Sequence, residues 1–283
     1  MKTGLVLEGG AMRGMYTAGV LDVLMENNIE FDGIIGVSAG ACFGCNYKSR
    51  QIGRTIRYNK RFCKDSRYMG LKSLVFTGDL YNEKFCYGEV PKKYDVFDTD
   101  TFSKTPVEFF VVATDVKTGK PVYHKCTDGG DVDIKWMQAS ASMPLVSRIV
   151  KIDDMVLLDG GVSDSVPIEW FRENGYKRNL VVLTRPKGYR KAKTGGIGLM
   201  RLMFRKYPAV IKAMIKRPTV YNETLDRLSV LEKEGETFVL YPSENIDVKR
   251  VERNAEKLEK AYRLGRSDAD AKLDEIKKFL YKE

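Results

Sequence analysis

The sequence predicts an α/β fold with a mainly parallel central sheet flanked by helices. Two observations carry this. A strand–turn–helix unit occurs twice within the first 48 residues, and further apolar, β-branched runs recur between helical patterns downstream. The 283 residues, 43% hydrophobic and 30% charged, suffice to bury a substantial core, and no repeat or linker divides them, so one domain is expected.

Residues 3–7 (TGLVL) read as a buried strand that enters the glycine-rich turn Glu8-Gly9-Gly10-Ala11-Met12-Arg13-Gly14. Residues 15–25 then place Ala18, Leu21 and Leu24 at helical spacing. Residues 31–36 form the second strand and 39–48 the second helix. Residues 51–72, rich in Arg, Lys and Tyr, read as helix then loop. The run VEFFVVATDV at 107–116 passes through Lys117-Thr118-Gly119-Lys120 into 121–124, a hairpin signal. A helix over 133–142 stops before Pro144, and strands follow at 155–159 and 179–184. Helical patterns at 199–215 and 219–234, a short strand at 237–241 and charged helices from 248 onward complete the chain.

Within this frame, Gly36-Val37-Ser38-Ala39-Gly40 falls between a strand and a helix. The pattern G-x-S-x-G there describes a sharp turn that lifts a serine hydroxyl above the sheet edge, and an ordinary strand–helix turn is the bland alternative. The turn at Gly9–Gly14 opens a helix and exposes backbone amides at the positive end of its dipole, where they bind phosphate or stabilise an oxyanion. The dinucleotide fingerprint G-x-G-x-x-G fails at Ala11.

A nucleophilic serine needs a base, and the chain has one histidine, His124, with none after it. The order Ser, then Asp or Glu, then His therefore cannot be assembled with an acid downstream of His124. A carboxylate acting directly is the alternative. Asp128, in CTDGGDVD, reads as a surface turn. Asp159, in MVLLDGGVSDSVP, ends an apolar strand, where burial raises a carboxyl pKa and makes a better base. Asp159 is the stronger candidate.

These motifs resemble the patatin-like phospholipases, in particular the bacterial stand-alone members. Leu7–Gly14, Gly36–Gly40 and Asp159-Gly160-Gly161 stand in the family's order and spacing, and Ala139–Pro144 resembles the stretch before its catalytic aspartate. The resemblance covers about residues 3–185 and implies a three-layer patatin-like fold, with a basic, helical extension over 186–283. It implies a Ser–Asp dyad without histidine: Ser38 as nucleophile, Asp159 as general base, and Gly9, Gly10, Ala11, Met12, Arg13 and Gly14 as the oxyanion loop. Gly36, Gly40, Gly160 and Gly161 are the motif glycines. Ala11 departs from the family, which usually has a third glycine there, and this puts rate and substrate size in question.

The expected activity is hydrolysis of lipid or phospholipid carboxylic esters through an acyl-enzyme, with no cofactor and no metal. Asp131-Val132-Asp133 is too sparse for a calcium loop. The rival readings are a nucleotide-binding α/β protein using the Gly9–Gly14 loop and a catalytically silent, membrane-associated member of the fold.

The net charge of +10 is local: residues 174–222 carry 13 Lys and Arg and no Asp or Glu, and the remainder is slightly acidic. Residues 195–216 mix apolar side chains with Arg201, Arg205, Lys206, Lys212 and Lys216, and Pro208 should break or kink any helix there. Two readings compete, an interfacial helix on an anionic membrane and a core-packing helix with a solvated basic face. Nucleic acid is the weaker partner, because aromatics are few here. The N-terminus shows no signal-peptide pattern, and the five cysteines, an odd number, read as reduced thiols, with Cys42 and Cys45 packing in a helix. A cytoplasmic protein, peripheral at the inner membrane surface if the basic segment binds lipid, is expected.

Overall fold

A computed structural model describes residues 1–281; the last two residues of the 186–283 extension lie outside the described residues. Strand β1 (Lys2–Leu7) runs through a 3-10 turn at Ala11–Arg13 into helix α1 (Gly14–Glu26), and β2 (Gly33–Val37) runs into α2 (Ala39–Lys48). Helices α3 (Arg54–Phe62) and α4 (Leu71–Thr77), a π-helical stretch at Lys84–Tyr94 and α5 (Thr99–Lys104) precede the hairpin β3 (Glu108–Asp115) and β4 (Pro121–Cys126). Next come α6 (Asp131–Ser140), β5 (Val150–Ile152), β6 (Met155–Asp159), α7 (Ile168–Glu173) and β7 (Tyr176–Val182). The chain then forms α8 (Ile197–Met203), α9 (Pro208–Lys233), β8 (Thr237–Leu240), α10 (Ala255–Ala271) and α11 (Leu273–Leu280).

The eight strands form one sheet in the order β5-β6-β3-β2-β1-β7-β8, with β4 also paired to β3. The run from β3 to β8 is parallel, and β4, β5 and β6 join antiparallel. Both faces are covered, as a parallel sheet requires. Leu5 and Leu7 of β1 pack with α1, α2 and α11, whereas Val6 between them packs with α7 and α9. This gives the three-layer α/β arrangement.

One register detail positions everything that follows. The edge of β3 opposite β4 is shared by two strands that meet head to head. Strand β2 pairs with it in parallel up to Val37↔Val112, and β6 takes over antiparallel from Ala113↔Asp159 onward. The chain leaving β2 and the chain ending β6 therefore arrive at one point, carrying Ser38 and Asp159. No local sequence pattern encodes that meeting.

The expected helices at 199–215 and 219–234 are divided differently. The break falls at 204–207, Pro208 occupies the first turn of α9, and Pro218 lies inside that helix. Proline lacks the N–H that would bond the carbonyl four residues earlier. That carbonyl, of Met214, instead accepts a 2.7 Å hydrogen bond from Thr194 Oγ1. The antiparallel strand β5 was also not expected; three residues are too few to show a period.

Beyond residue 186, β8 extends the sheet beside β7, and α10 lies along α1. The helix pair is in backbone contact: a Cβ on Gly19 would strike the Tyr262 carbonyl, and one on Gly265 the Tyr16 carbonyl.

Candidate active site

Ser38 sits in the turn between β2 and α2 at φ 55°, ψ −119°, a conformation that costs a non-glycine residue roughly 1–3 kcal/mol. The surroundings over-determine it. The Ser38 amide donates to Ser140 Oγ at 2.8 Å, and its carbonyl accepts from the amides of Ala41 and Cys42. A Cβ on Gly36 would run into the Gly40 carbonyl, and one on Gly40 into the Leu7 carbonyl. The two flanking glycines thus answer to backbone contact, the steric reason behind G-x-S-x-G.

Ser38 Oγ donates to Asp159 Oδ2 at 2.8 Å, and both residues are buried. The other carboxylate oxygen, Oδ1, accepts from the Gly161 amide at 2.7 Å. Backbone bonds fix the aspartate: its N–H donates to the Ser142 carbonyl, and its carbonyl accepts from Thr114 Oγ1. A Cβ on Gly160 would meet the Val112 carbonyl, so this glycine lets the turn close against β3. The stretch 139–144 is therefore a brace, with Ser140 holding Ser38 and Ser142 holding Asp159.

Burial pushes the Asp159 carboxyl pKa up, opposed by the Ser38 hydroxyl, Arg217, the Gly161 amide and Lys191. The result is a base somewhat stronger than an ordinary carboxylate, poised on a hydroxyl.

The glycine loop lies directly against this pair. A Cβ on Gly9 would sit 2.9 Å from Ser38 Cβ, and one on Gly10 would sit 2.7 Å from Thr184 Oγ1. Glu8 is buried beneath it, accepting from the Thr184 amide and hydroxyl and from the Tyr221 hydroxyl. Arg13 N–H returns to the Gly10 carbonyl, while the amides of Gly10, Ala11 and Met12 make no hydrogen bond among the described residues. Ala11 stands at φ 48°, the left-handed region that favours glycine. Its methyl lines the cavity next to Ser38. A Cβ at Gly9 or Gly10 would meet protein atoms, so both glycines let the loop pack closely against Ser38 and Thr184.

An apolar cavity of about 120 Å³ starts at Ser38, Ala11 and Met12 and runs between Phe43, Tyr58, Val90, Phe97 and Met137. Its walls are mainly apolar, with Arg54 and tyrosine side chains among them, as binding sites for partly apolar ligands generally are.

Other sequence candidates lie elsewhere. His124, on β4, stacks on Trp136 with ring centroids 4.3 Å apart and faces Asp133 Oδ1 at 3.3 Å, with no bond to Ser38. Asp128 is exposed and accepts from the Gly130 amide. His124, Cys126 and Asp133 lie close enough to hold a metal ion, but Asp133 Oδ2 already receives the amides of Thr127, Asp128 and Gly129. Cys42 and Cys45 are free thiols on α2, each with its pKa pushed up to about 12 by burial, the opposite of a reactive pair.

Two residues near the pair had no sequence signal. Arg217 Nε donates to the Gly161 carbonyl, and Lys191 lies close enough to act on Asp159. Both belong to the basic segment, far along the chain from either motif.

The chain belongs to the patatin-like phospholipase family, whose description matches residues 5–171. Residues 207–281 match a second family, described as a domain of unknown function, DUF6363. Lysophospholipase NTE1 of Cryptococcus neoformans is 28% identical over 186 residues, 63% of this chain and 11% of that protein. The uncharacterized protein YjjU of Escherichia coli is 29% identical over 199 residues, 65% of this chain and 52% of its own. The uncharacterized NTE family protein Rv1063c of Mycobacterium tuberculosis is 27% identical over 168 residues, 59% and 44% respectively. The chain thus covers at most 52% of the length of these relatives. Among solved structures, VipD from Legionella pneumophila aligns over 97% of this chain and 67% of its own, with a TM-score of 0.47 and 12% identity.

Proposed function

We propose that the protein is a lipid acyl hydrolase that cleaves carboxylic esters through an acyl-enzyme on Ser38. The observation that carries the reading is the buried 2.8 Å hydrogen bond from Ser38 Oγ to Asp159 Oδ2 at the head-to-head junction of β2 and β6. Family membership and the name of the lysophospholipase relative support the substrate class.

In this mechanism Asp159 takes the Ser38 proton as Oγ attacks the ester carbonyl. The free amides of the Gly9–Gly14 loop receive the tetrahedral oxyanion, aided by the start of α1. Asp159 returns the proton to the departing alcohol, and a water molecule, activated by the same carboxylate, releases the acid. The apolar cavity takes the acyl chain. Histidine has no part.

The protein also works at a lipid surface in this reading. Helix α8 and the start of α9 bury Met200, Phe204, Val210 and Met214 but expose Leu199, Leu202, Met203 and Ile215 among Arg201, Arg205, Lys206 and Lys212. Helix α4 adds Leu71, Val75 and Phe76, each at least 76% exposed. The loop 143–148 links the two: Leu80 N–H bonds the Val146 carbonyl, and Leu145 lies beside Gly196. Met143 of the same loop lines the cavity. Apolar side chains interspersed with cations around a cavity mouth suit an anionic membrane surface.

A fluorophosphonate probe tests the central claim. One adduct on Ser38, mapped by peptide mass spectrometry, is expected. Labelling of Ser140, Ser142 or Ser163 with Ser38 unmodified overturns the assignment.

A further inference from the structure

The cavity that begins at Ser38 is not hydrocarbon throughout. Helix α2 forms one wall, with Ser38 at its start and Cys42 and Cys45 following one and two turns on. Beyond them stands Arg54, the one charged side chain among the described residues of the lining. Arg54 is 4% exposed. Its guanidinium lies over the rings of Tyr58 and Phe97, which also line the cavity, at 5.3 and 5.2 Å from their centroids.

The hydrogen bonds of this guanidinium are incomplete. Nη1 donates to Asn46 Oδ1 at 2.8 Å, and Nε and Nη2 donate to the Asp95 carbonyl at 3.1 and 2.6 Å. Those bonds use one N–H on each nitrogen, and an arginine carries five, so about two remain without a partner among the described residues. The Asp95 carboxylate is clasped by the Arg57 fork at 2.8 and 2.9 Å and lies 3.5 Å from Arg54 Nε. Two guanidinium groups thus share one carboxylate, and of the two only Arg57 reaches solvent. A buried cation with unused donors is unfavourable until an acceptor joins it.

The distance to the nucleophile suits a chain. Asn46, which holds Arg54, stands on α2 two turns past Ser38, and at about 1.5 Å per residue the helix carries it about 12 Å away. With bonds of about 1.5 Å in a zigzag, an acyl chain of about ten to twelve carbons covers that length. We infer that the cavity is built for an acyl chain of this length with an oxygen at its far end, a hydroxyl or a carboxylate that accepts hydrogen bonds from Arg54. The inference rests on the hydrolase reading for the ester and on Arg54 for the tail. A wholly apolar cavity would reject such a chain, because a buried hydroxyl without a partner is penalised, whereas a guanidinium at the far end makes a charge-assisted bond with it.

The rival task for Arg54 is structural, tying α2 to the segment at Asp95, and substrate pairs separate the two. Nitrophenyl dodecanoate is compared with its ω-hydroxy counterpart, and nitrophenyl hexanoate with ω-hydroxyhexanoate, a pair too short to reach. Wild type should favour the long ω-hydroxy ester over the plain one by about tenfold in kcat/KM, and should disfavour the hydroxyl in the short pair. Arg54→Met should bring the long-chain ratio below unity, with the loss falling chiefly on the oxygenated ester. Equal losses on both long esters would leave Arg54 only its structural task and overturn the inference. A wild type that prefers plain dodecanoate would overturn it as well, and that comparison needs no variant to fold. The ω-carboxy ester completes the series: a preference for it above the ω-hydroxy ester supports the site and makes carboxylate its tail.

Binding is measured apart from turnover. In calorimetry, Ser38→Ala protein should bind methyl ω-hydroxydodecanoate about tenfold more tightly than methyl dodecanoate. If Ser38 takes no phosphonate and no ester is cleaved, the hydrolase reading fails and this ratio alone decides the tail site. Equal or weaker binding of the hydroxy ester overturns it.

Discussion

Ser38 and Asp159 are both held in states that oppose folding. The serine occupies a left-handed backbone region, and the aspartate is buried with its carboxyl pKa raised. A raised native pKa means that the folded protein binds the proton more tightly than the unfolded chain. Stability contributed by protonated Asp159 is therefore present at low pH and lost as pH climbs from the ordinary 3.8 through the raised value. In the proposed mechanism activity has the opposite dependence, since Asp159 must be ionised to accept the Ser38 proton, and the rate should fall as pH drops through that raised pKa.

Two outcomes follow at this scale. Ser38→Ala and Asp159→Asn should each lower kcat by at least about a thousandfold, since removing one member of a cooperating pair removes most of its effect. Asp159→Asn should also melt no lower than wild type at pH 7, because the amide preserves the size and removes a buried charge. A clearly lower melting temperature would show that ionised Asp159 stabilises the fold, contrary to the direction of its pKa. His124→Ala should keep most of the activity, because its partners are Trp136 and Asp133. Loss of hydrolysis in a folded His124→Ala protein would bring back a histidine-assisted mechanism.

Among the elements, α4 and α8 carry the apolar side chains that the core does not use. Helix α8 buries Met200 and exposes Leu199 and Leu202, which leaves the basic segment open to the membrane reading proposed above. Exposed apolar area contributes roughly 25 cal/mol per Å² when it enters lipid, and each nearby cation about 1 kcal/mol at an anionic surface. Replacing Val75, Phe76 and Leu202 by serine should lower the ratio of vesicle-lipid to soluble-ester hydrolysis. The same variant should co-sediment more weakly with anionic vesicles, and salt should weaken the wild-type interaction by screening. An unchanged ratio with unchanged sedimentation would mean that these side chains have no contact with the membrane.

Over the whole molecule, the segment after residue 186 is joined to the motif-bearing part by backbone as well as side chains. Helix α10 meets α1 where Gly19 and Gly265 let the two chains touch, and Tyr262 donates to Asp22 at 2.7 Å. Helix α1 begins at the glycine loop, so α10 supports the site from behind. Gly265→Ala pits two effects against each other. Helix propensity favours alanine by about 1 kcal/mol, whereas overpacking costs typically 1–3 kcal/mol, and more where the obstacle is backbone. Because the new Cβ would strike the Tyr16 carbonyl, a net loss of about 2 kcal/mol in urea unfolding is expected. Stability equal to or above wild type would show that the helices can separate without cost.

What the sequence by itself determined was local. Strand–turn–helix patterning, the small residues around Ser38, and the scarcity of histidine that directs attention to Asp159 all lie within short windows or simple counts. They are legible because steric limits on a turn and the period of a buried strand act over a few residues. The tertiary structure decided what brings distant pieces together. Ser38 and Asp159 are 121 positions apart, and they meet because β2 and β6 end on the same edge of β3. Arg217 bonds the turn after Asp159, and Lys191 lies near it, in a segment where Pro218 is tolerated inside α9 and Thr194 bonds the carbonyl it frees. Sheet order and helix docking are settled by the packing of whole elements, and periodicity carries no record of which strand lies beside which.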